Sequence, residues 1–521
     1  MTAPDQPAAQ SAAPGEPAAA TSEPGEAIGS SGLTTATATV AALRRALAAG
    51  TLTSAELTAC YLDRIERHNP QLRAVIAVSP DAAAQAAASD AAAAAGAPPG
   101  PLAGIPVLIK DNIAVDGTAT TAGSPALLTS RPPEAFLAGR LRAAGAVLLG
   151  KANLSEWANF RSTQSSSGWS TLGGQTANPR GPGRNPSGSS SGSAAALAAG
   201  LAPLAVGTET DGSIVSPAAA CGVVGIKPTL GLISRAGIVP VSAAQDTAGP
   251  MAVTVADAAV LLGALAGPDP GDPATAAAAG QPGDYTQFLD PGALDGARIG
   301  VWRDGCALAG AATMAVLDAA VAALRCCGAT VTDPVALPGA DKLAEPELAA
   351  LLTEFRHDLN GYLAALPGDQ PGTLRELIDF NIYNGSRVLA IFGQELFEQA
   401  EATGGDLSAA SYLAARGDAR RLAAGGLDAA LTGSRLDAVV SLTGSPAWLT
   451  DHVLGDHHIF GTSGPAAVAG YPAISVPAGR VRGLPVGVSF TGPPWSEPRL
   501  IALAHAFELA GARHQAGRGQ R

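Results

Sequence analysis

This sequence is poor in cysteine, in clustered basic residues and in long apolar runs, and each shortage excludes something. Five cysteines, Cys60, Cys221, Cys306, Cys326 and Cys327, are scattered over 521 residues without the spacing of metal ligands. Adjacent Cys326 and Cys327 read as helix residues rather than a redox pair, so reduced thiols are expected. No lysine or arginine cluster offers a groove that could track phosphates, and the net charge of −12 argues against a nucleic-acid partner. No run approaches the length needed to span a bilayer, so no membrane partner is expected. The first Lys or Arg is Arg44, which leaves no charged n-region for export and makes the cytoplasm the expected compartment. No internal repeat is visible.

What the chain does have is 47% hydrophobic residues, enough for a large core. Residues 1–34 are Ala, Pro, Ser, Glu and Gly with almost no large apolar side chain; such a segment cannot offset its ordering entropy and is expected to be disordered. Helical patterning begins at Val40, and Thr53-Ser54-Ala55-Glu56 is a capping box opening a second helix that Asn69-Pro70 should end. From there, helices alternate with short apolar strands, among them the run from Leu102 that delivers Lys110 at its end, Ala146 to Gly150 and Leu204 to Gly207. That alternation is the α/β pattern. A single domain over residues 35–512 is expected, with a mainly helical layer at 342–431 and a polar tail at 513–521.

The chain is organised around Asn185 to Gly231. Asn185-Pro186-Ser187-Gly188-Ser189-Ser190-Ser191-Gly192-Ser193 passes into an alanine-rich helix-like segment. Leu204 to Gly207 follows, then Thr208-Glu209-Thr210-Asp211-Gly212-Ser213-Ile214. A Ser/Gly-rich run is usually a linker. Linkers, however, are not followed at once by helix, strand, second small-residue turn and buried-looking strand. Small residues leave backbone N–H groups free to face a ligand, and two hydroxyl-bearing turns suit a nucleophile beside an oxyanion hole.

Amide cleavage by a serine needs a base, a proton relay and oxyanion donors. His68, His357, His505 and His514 sit on helices, near helix ends or in the tail, and none shares a small-residue turn with a serine. No Gly-x-Ser-x-Gly elbow surrounds Ser213. His452, His457 and His458 form a cluster with Asp451 and Asp456, but its spacing matches no helical zinc pattern; a loop lining the pocket is expected there, without metal or cofactor. Lysine is then the candidate base. An exposed amine is protonated at neutral pH, whereas burial at the end of an apolar strand disfavours its charge. Lys110 meets that requirement and Lys227, at another strand end, competes with it. A snorkelling strand-end lysine is the structural alternative.

Taken together, Lys110, the Ser187–Ser193 run and the Ser213 turn resemble the amidase signature family, over roughly residues 35–510. The resemblance implies that family's fold, a large mixed β-sheet covered by helices on both faces, and its Ser-Ser-Lys triad. Ser213 resembles the nucleophile, Ser189 the bridging serine and Lys110 the base. The N–H groups of Thr210, Asp211, Gly212 and Ser213 resemble the oxyanion hole. Two departures stand out: Asp211-Gly212 and Ser191-Gly192 occupy positions where the family commonly has paired glycines. Val215 stands where many members carry Arg, which argues against the glutamine-dependent amidotransferase subunits.

Within the family the likeness is greatest to bacterial peptide amidases, which remove the C-terminal amide of peptides. It is carried by Asn153 to Ser162, Ser167 to Ser170, Leu172 to Thr176, Gly207 to Ser213, Gln245 to Pro250 and Trp495 to Pro498. The implied substrate is a small-molecule or short peptide amide, cleaved through an acyl-enzyme. A broad-specificity amidase or aryl acylamidase is the alternative. The Trp157–Trp169 segment could equally be plain packing, and Asp211 could either hold its turn or bind a peptide N–H.

Overall fold

The computed structural model describes residues 26–29, 31–35 and 38–518, with side chains as far as residue 511. Eleven strands form its main sheet: β1 Val75–Val78, β2 Pro106–Lys110, β3 Val147–Ala152, β4 Leu204–Glu209, β5 Val224–Lys227, β6 Thr247–Ala252, β7 Arg298–Val301, β8 Thr330–Thr332, β9 Ala438–Leu442, β10 Ala473–Val481 and β11 Leu484–Thr491. They run across the sheet in the order β8-β7-β9-β11-β10-β5-β6-β4-β2-β3-β1. The sheet is mixed: β2 is parallel to both β3 and β4, whereas β6 is antiparallel to β4 and β5. Every residue of β2, β3, β4, β5 and β6 is buried. Helices cover both faces of this centre, so its strands read as near-continuous apolar runs rather than alternating ones.

The parallel β2–β4 pair sets up the chemistry. Ile109 lies opposite Val206, so the ends of the two strands carry Lys110 and Thr208-Glu209 to the same edge of the sheet. The helix Ser191–Ala198 packs on these strands through small residues. Gly192 shows why they must be small: a Cβ there would lie 2.3 Å from the Ala74 carbonyl oxygen and 2.4 Å from that of Asn153. No larger residue could let this helix approach so closely, which accounts for glycine after Ser191.

Five helices, Ala344–Ala365, Leu374–Tyr383, Gly385–Val388, Glu395–Ala402 and Ala410–Gly433, make up the region expected as a helical layer. Phe355, Leu359, Phe397 and Trp157 form a separate apolar cluster beneath it. No helix among the described residues is long and apolar enough to cross a membrane.

Three expectations are corrected. The second helix does not stop at Asn69-Pro70 but runs from Ser54 to Leu72. Pro70 is tolerated in its last turn, and Asn69 staples that end to β1 by donating to the Val75 carbonyl and accepting from the Val75 N–H, both at 2.8 Å. Within the stretch expected to be disordered, residues 1–25 lie outside the described residues. Ala27–Ile28 pairs with Leu33–Thr34, because Ile28 is fully buried in the core and Glu26 meets Arg64 at 3.0 Å. The last helix extends from Glu497 to Arg518, into the segment read as a polar tail.

Candidate active site

Lys110 is fully buried at the end of β2. Its Nζ lies 2.7 Å from Ser189 Oγ, 2.9 Å from Thr208 Oγ1 and 3.2 Å from the Thr208 carbonyl oxygen. Asn112 Nδ2 also donates to Thr208 Oγ1, at 2.9 Å. No carboxylate among the described residues touches the amine. Desolvation therefore dominates and brings the Lys110 pKa down to about 7, against a weaker opposing pull from Asp246 and Glu209. An amine titrating there is substantially neutral near physiological pH and can accept a proton from the hydroxyl it faces.

Ser189 follows a cis Gly188-Ser189 peptide and a left-handed Ser187. Its turn is tied to the Ser213 turn by the Ser190 N–H, which donates to the Ser213 carbonyl at 3.1 Å. Ser190 Oγ donates to the Thr208 carbonyl at 3.0 Å and fixes the Ser189 turn against β4. The Ser213 hydroxyl has no hydrogen-bond partner among the described residues. The N–H groups of Thr210, Asp211, Gly212 and Ser213 likewise donate to nothing among the described residues. In contrast, the next two N–H groups, of Ile214 and Val215, both donate to Glu209 Oε2, at 2.7 and 3.0 Å. Glu209 thus holds the turn from behind and leaves its front face open. Gly212 has φ +78°, and a Cβ there would meet the Ser216 and Ser463 hydroxyls at 2.9 Å. This is the place where the turn requires glycine.

A cavity of about 400 Å³ opens in front of these turns, and Gly188 and Gly212 are in its wall. Trp302, Leu343, Trp448 and Pro465 supply apolar lining, and Asp211, Glu347 and Asp456 supply carboxyl groups. Asp211 is solvent-accessible from the cavity yet ringed by protein. Desolvation pushes its carboxyl up, opposed by the Ser463 hydroxyl and by Lys227.

Lys227, the competing base, faces elsewhere. Its Nζ donates to the carbonyls of Tyr471 and Pro228, at 2.8 and 3.0 Å, and no serine is among its partners within the described residues. The histidine cluster also disperses. His452 meets Gln175 at 2.9 Å, His457 meets Asp451 at 3.3 Å, and His458 packs edge-on to Trp448 at the cavity wall. No group of three potential ligands capable of holding a metal occurs among the described residues.

The Trp157–Trp169 segment is partly packing. Trp157 stands edge-on to Phe397, and Arg161 lies over the rings of Phe392 and Trp169 while paired with fully buried Glu156. It also contributes to the cavity: Trp157, Ala158 and Asn159 are all left-handed, and Asn159 and Ser167 stand in the wall. Sequence reasoning missed Thr208, Glu209 and Glu347. Glu209 carried the same signal as Lys110, a charge closing an apolar strand. Glu347 carried none, because Gln245 and Asp211, which it meets in the fold, lie more than 100 positions away.

The Amidase family model matches residues 56–501. The native peptide amidase of Stenotrophomonas maltophilia, a solved structure, is 49% identical, with a TM-score of 0.86 over 91% of this chain and 97% of that one. A probable amidase of Arabidopsis thaliana is 41% identical over 91% of this chain and 90% of its own length. A glutamyl-tRNA(Gln) amidotransferase subunit from Chloroflexus aurantiacus is 38% identical, over 90% and 96% respectively.

Proposed function

The chain is an amide hydrolase belonging to the amidase family, and from that premise we propose that it cleaves the C-terminal carboxamide of short peptides with Ser213, Ser189 and Lys110. The observation that carries this reading is the buried Lys110 amine, 2.7 Å from the Ser189 hydroxyl and without a carboxylate partner among the described residues.

In the proposed reaction, neutral Lys110 takes the Ser189 proton as Ser189 takes that of Ser213. Ser213 Oγ attacks the carbonyl carbon, and the carbonyl π pair moves onto oxygen. The free N–H groups of residues 210–213 receive that oxyanion; one such donor is typically worth about 3–4 kcal/mol. Collapse breaks the C–N bond, and the amine departs as ammonia after receiving a proton through Ser189 from protonated Lys110. Water then attacks the acyl-enzyme, passing its proton along the same relay, and releases the peptide acid. The amphipathic cavity and the likeness to a peptide amidase favour a peptide over a simple aliphatic amide.

Ammonia release from a C-terminally amidated dipeptide tests the reading. Ser213→Ala, Ser189→Ala and Lys110→Ala should each reduce turnover by at least about a thousandfold while circular dichroism remains that of the folded protein. Wild-type turnover in Ser213→Ala or Lys110→Ala would reject the assignment. Activity of the purified chain without partner chains or acceptor RNA separates this reading from an amidotransferase role.

A further inference from the structure

Most buried acids in this protein have an assigned partner. Glu156 has Arg161, Asp111 has Lys151 at 3.0 Å, Asp272 has Arg235, and Asp456 receives N–H donors from Ser167 and Trp448. Glu347 differs. It is only 8% exposed, yet among the described residues its carboxyl group receives a single hydrogen bond, from Gln245 Nε2 to Oε1 at 2.9 Å. Its Oε2 is unpartnered among the described residues, and the residue stands in the wall of the active-site cavity.

The cation nearest to hand is already committed. Arg416 donates to Glu354 Oε1 at 2.7 Å and to Gln245 Oε1 at 2.6 Å. The carboxyl that does stand beside Glu347 is Asp211, two residues before Ser213, and it raises the cost of ionising Glu347 further. Burial and then Asp211 push the Glu347 carboxyl up to about 8, against Gln245 and Arg416. Apart from Asp456, whose oxygen takes N–H donors, two carboxyls therefore face one cavity from different elements, one on the oxyanion turn and one on the helix Ala344–Ala365. Among the described residues the cavity lining holds no lysine or arginine. A pair so placed is under-compensated until something positive enters.

We propose that Glu347, together with Asp211, is the subsite for a cationic group on the amide substrate, either the free α-ammonium of a short peptide amide or a basic side chain near the scissile bond. The apolar wall of Trp302, Leu343 and Trp448 takes the hydrocarbon that carries the charge. Because Asp211 belongs to the turn that bears the nucleophile, a bound cation also fixes the substrate relative to Ser213. The subsite deepens the amide-cleavage reading of this cavity and rests on it.

Calorimetric titration of the Ser213→Ala protein with two ligand pairs tests it. One pair is glycyl-leucinamide and its N-acetyl form; the other is N-acetyl-lysinamide and N-acetyl-norleucinamide. A charge-assisted contact should make the cationic member bind about tenfold tighter or more in at least one pair. Preference confined to the first pair identifies the ammonium, and preference confined to the second identifies the side chain. Adding Glu347→Gln should collapse that ratio, and Glu347→Asp should retain part of it. Equal binding within both pairs, no binding by any of the four, or a preference that survives Glu347→Gln overturns the proposal. Ammonia release from N-acetyl-glycyl-leucinamide by the wild-type protein reads amide cleavage separately. Turnover without cation preference sinks the subsite alone, and cation preference without turnover sinks the cleavage reading alone.

Discussion

Replacing Lys110 by methionine should inactivate the protein and make it more stable at neutral pH. Burial lowers the amine from an ordinary 10.5 to about 7. At about 1.4 kcal/mol per pH unit, holding it in the fold costs about 5 kcal/mol below about pH 7 and progressively less from there up to pH 10.5. The sign follows from proton counting. Between about pH 7 and 10.5 the unfolded state binds the proton and the folded state does not, so wild-type stability rises with pH through this window. Below pH 7 both states are protonated and the full penalty applies. Methionine fills similar volume without a charge, but it leaves Ser189 Oγ without its partner, at a cost of about 1–3 kcal/mol. Thr208 is less affected, because Asn112 and Ser190 still bond to it. The net gain for Lys110→Met is about 2–4 kcal/mol at pH 7. Between pH 7 and pH 9 that lead should shrink by about 3 kcal/mol as wild type recovers. Lys227, also lowered by burial to about 8, is common to both proteins and cancels in the difference. Urea unfolding followed by circular dichroism at the two pH values measures the difference directly. Parallel pH dependences in the two proteins would show that Lys110 is not held neutral, and the proposed base would fall with that result.

The same amine should appear in the kinetics: kcat/KM should rise about tenfold per pH unit below pH 7 and level off above it, and a pH–rate profile without that limb would point to another base. Gly212→Ala forces a Cβ at φ +78° to within 2.9 Å of Ser216 and Ser463. It should lower kcat at least about tenfold by tilting the proposed oxyanion turn, as read by ammonia release at saturating substrate. Glu209→Ala removes the acceptor of two buried N–H groups and should destabilise the protein by about 3–5 kcal/mol in urea. Arg161→Met strands buried Glu156 and should cost about 3–5 kcal/mol by the same measurement.

Local chemistry was sufficient for much of this protein. An apolar run ending in lysine gives a strand whose terminal charge must be neutral or paired, so Lys110 could be nominated from five preceding residues. The Ser187–Ser193 and Thr208–Ser213 turns declare themselves because only small residues allow close backbone approach and free N–H groups. The alternation of helix and strand gives the α/β class, since each element's periodicity is set by its own burial.

The choice between Lys110 and Lys227 required the fold. Both end buried strands, and only the parallel register of β2 with β4 brings one of them to Ser189 while the other is turned to the carbonyls of Pro228 and Tyr471. The fate of Pro70 was equally non-local, because Asn69 secures the helix end to a strand. Glu347 lies 136 residues from Asp211 along the chain, and nothing in its own helix distinguishes it from a solvent-facing acid. Sequence determines what each short segment can become, because propensity and burial act over a few residues. Tertiary structure alone decides which charges meet, because electrostatic partners are chosen by distance in space.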